Sequence, residues 1–394
     1  MVNSMLKLAA AAALVAPVGA AEWTIDDTVS DLVIYGIGVA DATHAMAGTI
    51  SSGGAEPAFY NGSDWVFTHN SPSGAIMDVA VLPENEVALY TTFSGPFLST
   101  DQGGSWTHVS DVADPIQSAQ ALNGDTFALA GEFTSRELGY FGGVVMSTDK
   151  GSTWTDYAIE DAHYVRYGDY PSTTTWYITE GVWAGTDPAP AVHISPDLAT
   201  GFELSSRIHI GKVDPAARKA KKQAGADLGY VANIYKTSDG GSTFEKVFSS
   251  KATDTFYFNT ISCGSETTCV AVAEGELEDP SSRKISYTTF AYQTSDGGKT
   301  WTKVFDGGDA YMSLMSVKMI SETEGWMGPS GLLPGSSTIA VTDFMYTSDG
   351  GLNWTLAQTV EDCISSEIDA ADGLIMSTCI GFGPGQEARI AVYK

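Results

Sequence analysis

Residues 162–171, AHYVRYGDYP, set Tyr164, Arg166, Tyr167 and Tyr170 in one short run. A guanidinium fork can hold a carboxylate while a neighbouring ring covers the face of a sugar. The same alternation also describes a strand packed between sheets. Basic residues concentrate in 184–228, which holds His193, Arg207, His209, Lys212, Arg218, Lys219, Lys221 and Lys222. Such a segment could contact an anionic ligand, or fold back on acidic neighbours such as GELEDP at 275–280. Arg136, Tyr164, Arg166, Tyr167, Trp183, His193, Arg207 and His209 are the candidate ligand-face residues.

The chain carries 48 acidic against 20 basic side chains, a net charge of −28 over 394 residues. That balance repels nucleic acid and anionic lipid. Acid and base carboxylates of a glycosidase could hide among so many acids, because such pairs are set by distance in space. No spacing singles out a catalytic residue, and no cofactor is implied. Four cysteines form two local pairs, Cys263 with Cys269 and Cys363 with Cys379. Without CxxC spacing or nearby histidines they read as disulfides rather than a metal site.

Residues 1–20, MVNSMLKLAAAAALVAPVGA, place Lys7 before an apolar run that ends in small residues, the pattern of a secretory signal peptide. The run is short of the roughly 20 residues that a membrane span needs. Sequons at Asn61 and Asn353 suit a secretory route. A secreted monomer without a membrane span is expected, with residues 21–394 as one domain.

The elements that position these groups announce themselves by repetition. TSDGGKTW (294–301) returns as STDQGGSW (99–106), STDKGSTW (147–154), TSDGGSTF (237–244) and TSDGGLNW (347–354). Each is a turn between β-rich runs, and a motif present five times is architecture before it is chemistry. The aspartates Asp101, Asp149, Asp239, Asp296 and Asp349 can accept backbone N–H bonds, the glycines permit positive φ, and Trp106, Trp154, Phe244, Trp301 and Trp354 can pack back on the turn.

This pattern resembles the Asp-box, or BNR repeat, of sialidase-like β-propellers, where it links the third and fourth strands of a blade. Two registers then count the blades. Trp23 and Trp65 extend the five boxed aromatics to seven, and seven runs fit a second strand: 44–50, 86–93, 125–133, 174–181, 267–275, 323–331 and 373–381. Trp23 lacks three strands before it, and the C-terminal run lacks a fourth. The N-terminal strand therefore closes the last of seven blades. The gap of 90 residues between Trp154 and Phe244 leaves an eight-bladed alternative, through a degenerate box at 195–202; a loop insertion at about 184–228 is preferred. Loops joining second to third strands, at 134–143, 184–228, 275–286 and 329–340, are long and lie on the face away from the boxes, where binding is expected.

The resemblance also implies what the chain is not. Sialidases hold a carboxylate with three arginines, the first before the first box, whereas all six arginines here follow it. Boxed xyloglucan hydrolases place an aspartate pair between two propellers, and this chain is long enough for one. Sortilin-type receptors have ten blades and a cysteine-rich tail. The organisation is nearest to photosystem II stability and assembly factors, which share TSDGG-K-TW boxes and phrases like SETEGWMG (321–328). Those are non-enzymatic and grip a partner through an arginine-bearing surface that does not map here, and a secretory signal stands where plastid targeting would. The expectation is a non-catalytic, secreted seven-bladed propeller that binds a protein or glycan. A glycoside hydrolase and an assembly-factor-like protein of the plastid lumen are the alternatives.

Overall fold

The computed structural model describes residues 21–26, 33–51, 54–68, 76–92, 95–109, 116–135, 139–162, 164–183, 230–251, 254–278, 285–334, 336, 339–380 and 388–394. The signal segment 1–20, Arg136, His193, Arg207, His209, the degenerate box and the whole insertion at 184–228 lie outside these residues, and so does the side chain of Trp183.

Seven antiparallel sheets stand around one axis, a seven-bladed β-propeller. Their first strands line the axis in chain order: Val33–Asp41, Asp78–Val81, Ile116–Asn123, Val165–Asp169, Phe256–Cys263, Tyr311–Ser313 with Val317–Met319, and Ile368–Ala371. In blade 6 the first and second strands are each broken in two. Blade 7 takes its fourth strand, Trp23–Asp26, from the N-terminus, paired with Arg389–Tyr393. A ring closed this way has no free edge.

The sandwiched sheets explain the sequence pattern. Second strands are covered on both faces, so Ala88–Thr92 and Leu374–Cys379 are buried throughout, and they read as continuous apolar or small runs. Core clusters lie between neighbouring blades: Trp65 packs with Leu374 and Met376 of blade 7, and Tyr177 of blade 4 with Phe258 of blade 5. Trp23 reaches back to blade 6, stacking on Phe344 at 4.0 Å and edge-on to Trp326 at 5.4 Å. Gln358 of that blade locks both sides of its peptide, accepting from Trp23 N–H at 2.7 Å and donating to Trp23 C=O at 2.8 Å.

Each repeated octapeptide joins a third strand to a fourth. In the turn of blade 5, Asp296 Oδ1 accepts from Thr300 N–H at 2.9 Å and Oδ2 from the Thr300 hydroxyl at 2.7 Å, while Thr294 Oγ1 accepts from Gly298 N–H at 2.9 Å. The other four repeat this cage, with Asn353 in the last using its amide nitrogen on Asp349 at 2.7 Å. The glycine two places after the Asp does more than turn the chain. Gly351 has φ +85°, and a Cβ there would lie 2.4 Å from Val270 of the preceding blade. The turns are thus spacers between blades as well as locks within one. Their aromatics are accordingly half-buried rather than enclosed, whereas the unboxed Trp23 and Trp65 are buried.

Two expectations change in detail. The segments 134–143 and 275–286, read as loops, are strand at both ends: Thr126–Ser135 pairs with Gly139–Ser147, and Cys269–Glu278 with Ile285–Thr294. Strand pairing supplies the backbone bonds that a loop would have left to water. Both disulfides form: Cys263 to Cys269 joins the first two strands of blade 5, and Cys363, just ahead of the first strand of blade 7, is tied to Cys379 at the end of the second. Among the described residues no helix is long and apolar enough to cross a membrane.

Candidate functional site

Two places near the axis gather chemically capable groups. The first is the entrance on the face opposite the octapeptide turns, beside blades 4 and 5. Val165 pairs with Glu180 and Tyr167 with Thr179, so Arg166 sits alone on a bulge. A bulge re-aims its side chain out of the regular alternation. The guanidinium lies over the ring of Tyr257, the first-strand neighbour in blade 5, 5.3 Å from its centroid. Arg166 Nε is buried without a hydrogen-bond partner, and no carboxylate among the described residues forms an ion pair with this arginine.

Tyr164, two residues earlier, holds φ +65°. For an aromatic residue that conformation is uncommon and needs support from outside. Glu132 of blade 3 accepts its N–H, and its C=O accepts from Gly181 N–H at 3.1 Å. Glu132 has counterparts on the two following second strands. Glu274 accepts from Leu314 N–H at 3.1 Å and the Ser313 hydroxyl at 2.8 Å, and Glu180 from Asn233 at 2.6 Å and Tyr235 at 3.0 Å. These glutamates were missed from the sequence, although AGE, TEG and AEG recur there in the later half of the second strands.

The second place is the axial channel. A cavity of about 90 Å³ is lined by all seven first strands or the residues just before them, including Gly38, Asp78, Ala119, Tyr167, Ser262, Lys318 and Glu367. Its size suits a few waters and is far below the roughly 300 Å³ at which small-molecule sites begin. The lining is ionisable. Asp78 Oδ1 accepts from Val79 N–H at 2.7 Å and Oδ2 from Ala119 N–H at 2.8 Å, and Asp78 also bonds Glu367. Glu367 Oε2 accepts from Ile37 N–H at 2.9 Å. Asp369 takes Val39 N–H at 2.7 Å on one oxygen and Lys318 Nζ at 2.6 Å on the other.

Burial sets the titration of this group. It pushes Asp78 up to about 7 against two backbone bonds, and it raises Glu367 with help from the Asp78 charge. Burial also raises Asp169 to about 6, with the Lys318 charge opposing. For Lys318, burial alone would lower the value, and Asp369 with Asp169 outweighs it. Lys318 and Asp369 both line this channel. The sequence concealed these acids, because an Asp or Glu in a β-run reads as solvated until the ring closes around it.

The remaining site residues separate. Tyr167 lines the channel, Trp183 ends the second strand of blade 4, and Tyr170 is buried with Trp176. Asn61 is exposed in a turn that occupies only its Oδ1, accepting from Ser63 and Asp64, whereas the Asn353 amide is committed to Asp349. Among the described residues no cluster of His, Cys, Asp and Glu has metal-holding geometry.

No family model matches the chain, and no curated protein matches it. Solved structures do. YCF48 bound to a D1 peptide aligns at TM-score 0.53 and 9% identity, covering 94% of this chain and 97% of that one. YCF48 from Cyanidioschyzon merolae aligns at TM-score 0.52 and 10% identity, over 94% and 98%. An ulvan lyase of polysaccharide lyase family PL25, bound to a GlcA(1-4)Rha3S unit, aligns at TM-score 0.57 and 9% identity, over 94% and 96%. At such identities the likeness is one of fold.

Proposed function

We propose that the protein is a secreted, non-catalytic propeller that binds a protein or glycan partner through the face opposite the octapeptide turns, with Arg166 at the contact. The observation that carries this reading is Arg166 itself. On a chain of net charge −28, this arginine pairs with no described carboxylate and stands at the start of the blade 4 first strand with its guanidinium over the Tyr257 ring. A guanidinium held beside rings, with donors to spare, suits a carboxylate or sulfate on the partner. The two disulfides support an oxidising compartment.

Two structural facts weigh for binding over hydrolysis. Glycosidase carboxyl groups stand about 5 Å or more apart around an open sugar site. Asp78 and Glu367 instead bond to each other in a cavity of about 90 Å³, where no sugar ring fits. The similar folds include one protein whose structure holds a peptide and one that holds an acidic sugar unit, so both partner classes belong in the test.

The test screens the full chain against glycan and peptide arrays and assays the hits for cleavage. The Arg166→Ala and Arg166→Lys variants should lose capture at least tenfold with little change in melting temperature, because one charge-assisted bond contributes about 1.5–3 kcal/mol. Capture undiminished in both variants would move the contact elsewhere. Release of reducing ends or unsaturated sugars would replace the binding reading with an enzymatic one.

A further inference from the structure

The seam of the ring lies between blade 7, completed by the N-terminal strand, and blade 1. Here two acids from blades that are not neighbours meet: Glu367 precedes the first strand of blade 7, and Asp78 opens that of blade 2. They can meet because the intervening strand of blade 1 carries Gly36 and Gly38. A Cβ at Gly36 would lie 2.9 Å from Asp78 Cα, so only glycine lets the strands approach this closely.

Each acid is also tied to a further blade. Glu367 accepts from Ile37 N–H of blade 1 at 2.9 Å, and Asp78 from Ala119 N–H of blade 3 at 2.8 Å. A direct bond between two carboxyl groups requires a proton on one of them. With both Asp78 oxygens accepting from amides, Glu367 is the donor.

We propose that Asp78 and Glu367 hold one proton between them as a pH-sensitive latch across the seam, joining blades 7, 1, 2 and 3 while the proton stays and loosening them when it leaves for solvent. Once it has left, two carboxylates face each other inside the channel. The cation lining the channel, Lys318 of blade 6, is already engaged by Asp369 at 2.6 Å. Asp369 of blade 7 adds repulsion, and Tyr167 of blade 4 faces the pair with Arg166 beside it. Asp169 of blade 4 faces Lys318. Blades 1, 3 and 5 present only uncharged lining at this level, among them Gly38, Gln120 and Thr260.

The direction of the effect follows from linkage. Glu367, which holds the proton, is raised well above its ordinary value on folding, by burial first and then by the Asp78 charge. A group raised on folding stabilises fully below its unfolded value, loses that contribution as pH climbs through the folded value, and contributes none above it. The latch is therefore closed in mildly acidic surroundings and open in alkaline ones.

Infrared spectroscopy of the full chain tests the first half directly. A protonated carboxyl band that Glu367→Gln removes should be present at pH 6 and fade on alkaline titration, and absence of such a band at pH 6 overturns the proposal. Glu367→Gln tests the second half, since its amide donates to Asp78 at every pH while its oxygen keeps the Ile37 bond. Wild type should unfold several-fold faster once the Glu367 band has been titrated away than at pH 6, and the folded variant should show less than a twofold change over the same range. An equal acceleration in both overturns the latch.

Discussion

The five turn aspartates and the channel carboxylates are the same chemical group moved in opposite directions by their surroundings. Asp296 is brought down to about 2, first by the Thr300 hydroxyl and then by the Thr300 N–H. Asp78, taken from water, goes up to about 7. A group lowered on folding stabilises above its unfolded value and loses that contribution as pH falls toward the folded one. Asp296→Asn should therefore be less stable than wild type at pH 6, with the difference shrinking as pH falls from about 4 to about 2. Thermal unfolding at stepped pH reads this out, and a difference that stays constant down to pH 2 would contradict the cage as drawn. The aspartates were legible in the sequence because they recur in one frame. The channel acids occur once each, in frames where exposure and enclosure look alike.

At the scale of elements, spacing carried most of the information. Trp65 and Trp23 belong to the boxed series by position alone, and the structure places both in fourth strands. The first strands were harder to read. Five of them have a register shift near the start, between Ile34 and Gly36, Ile116 and Ser118, Val165 and Tyr167, Phe258 and Thr260, and Tyr311 and Ser313. A bulge breaks the period of two that a sequence window relies on. Arg166 stands on one of these bulges, so the run around it could be read either as packing or as a site. The closing strand gives the clearest element-level expectation. Trp23 is 3% exposed and stacked between blades, so Trp23→Ala should destabilise by about 3–5 kcal/mol. Denaturant unfolding measures this, and a loss below about 1 kcal/mol would mean that blade 7 holds without its N-terminal tryptophan.

Across the whole molecule, six of the seven junctions between consecutive blades are bridged, among the described residues, by side chains that accept N–H bonds from the next first strand or the residue before it. Asp78 takes Ala119, Glu132 takes Tyr164, Asp169 takes Cys263, Ser262 takes Met319, Ser316 takes Ile368, and Glu367 with Asp369 takes Ile37 and Val39. Acceptor precedes donor in the chain at every one of these junctions but the last. Read in the order of synthesis, each new blade meets a partner already made, while blade 1 must wait until almost the entire chain has been translated. Amides of Ile37 and Val39 should accordingly stay unprotected from hydrogen exchange on stalled nascent chains until residue 369 has left the ribosome, when those of Ala119 are already protected. Protection of Ile37 before then would break the dependence. The first blade made is the last to be finished, and an interrupted chain is an open arc rather than a smaller ring.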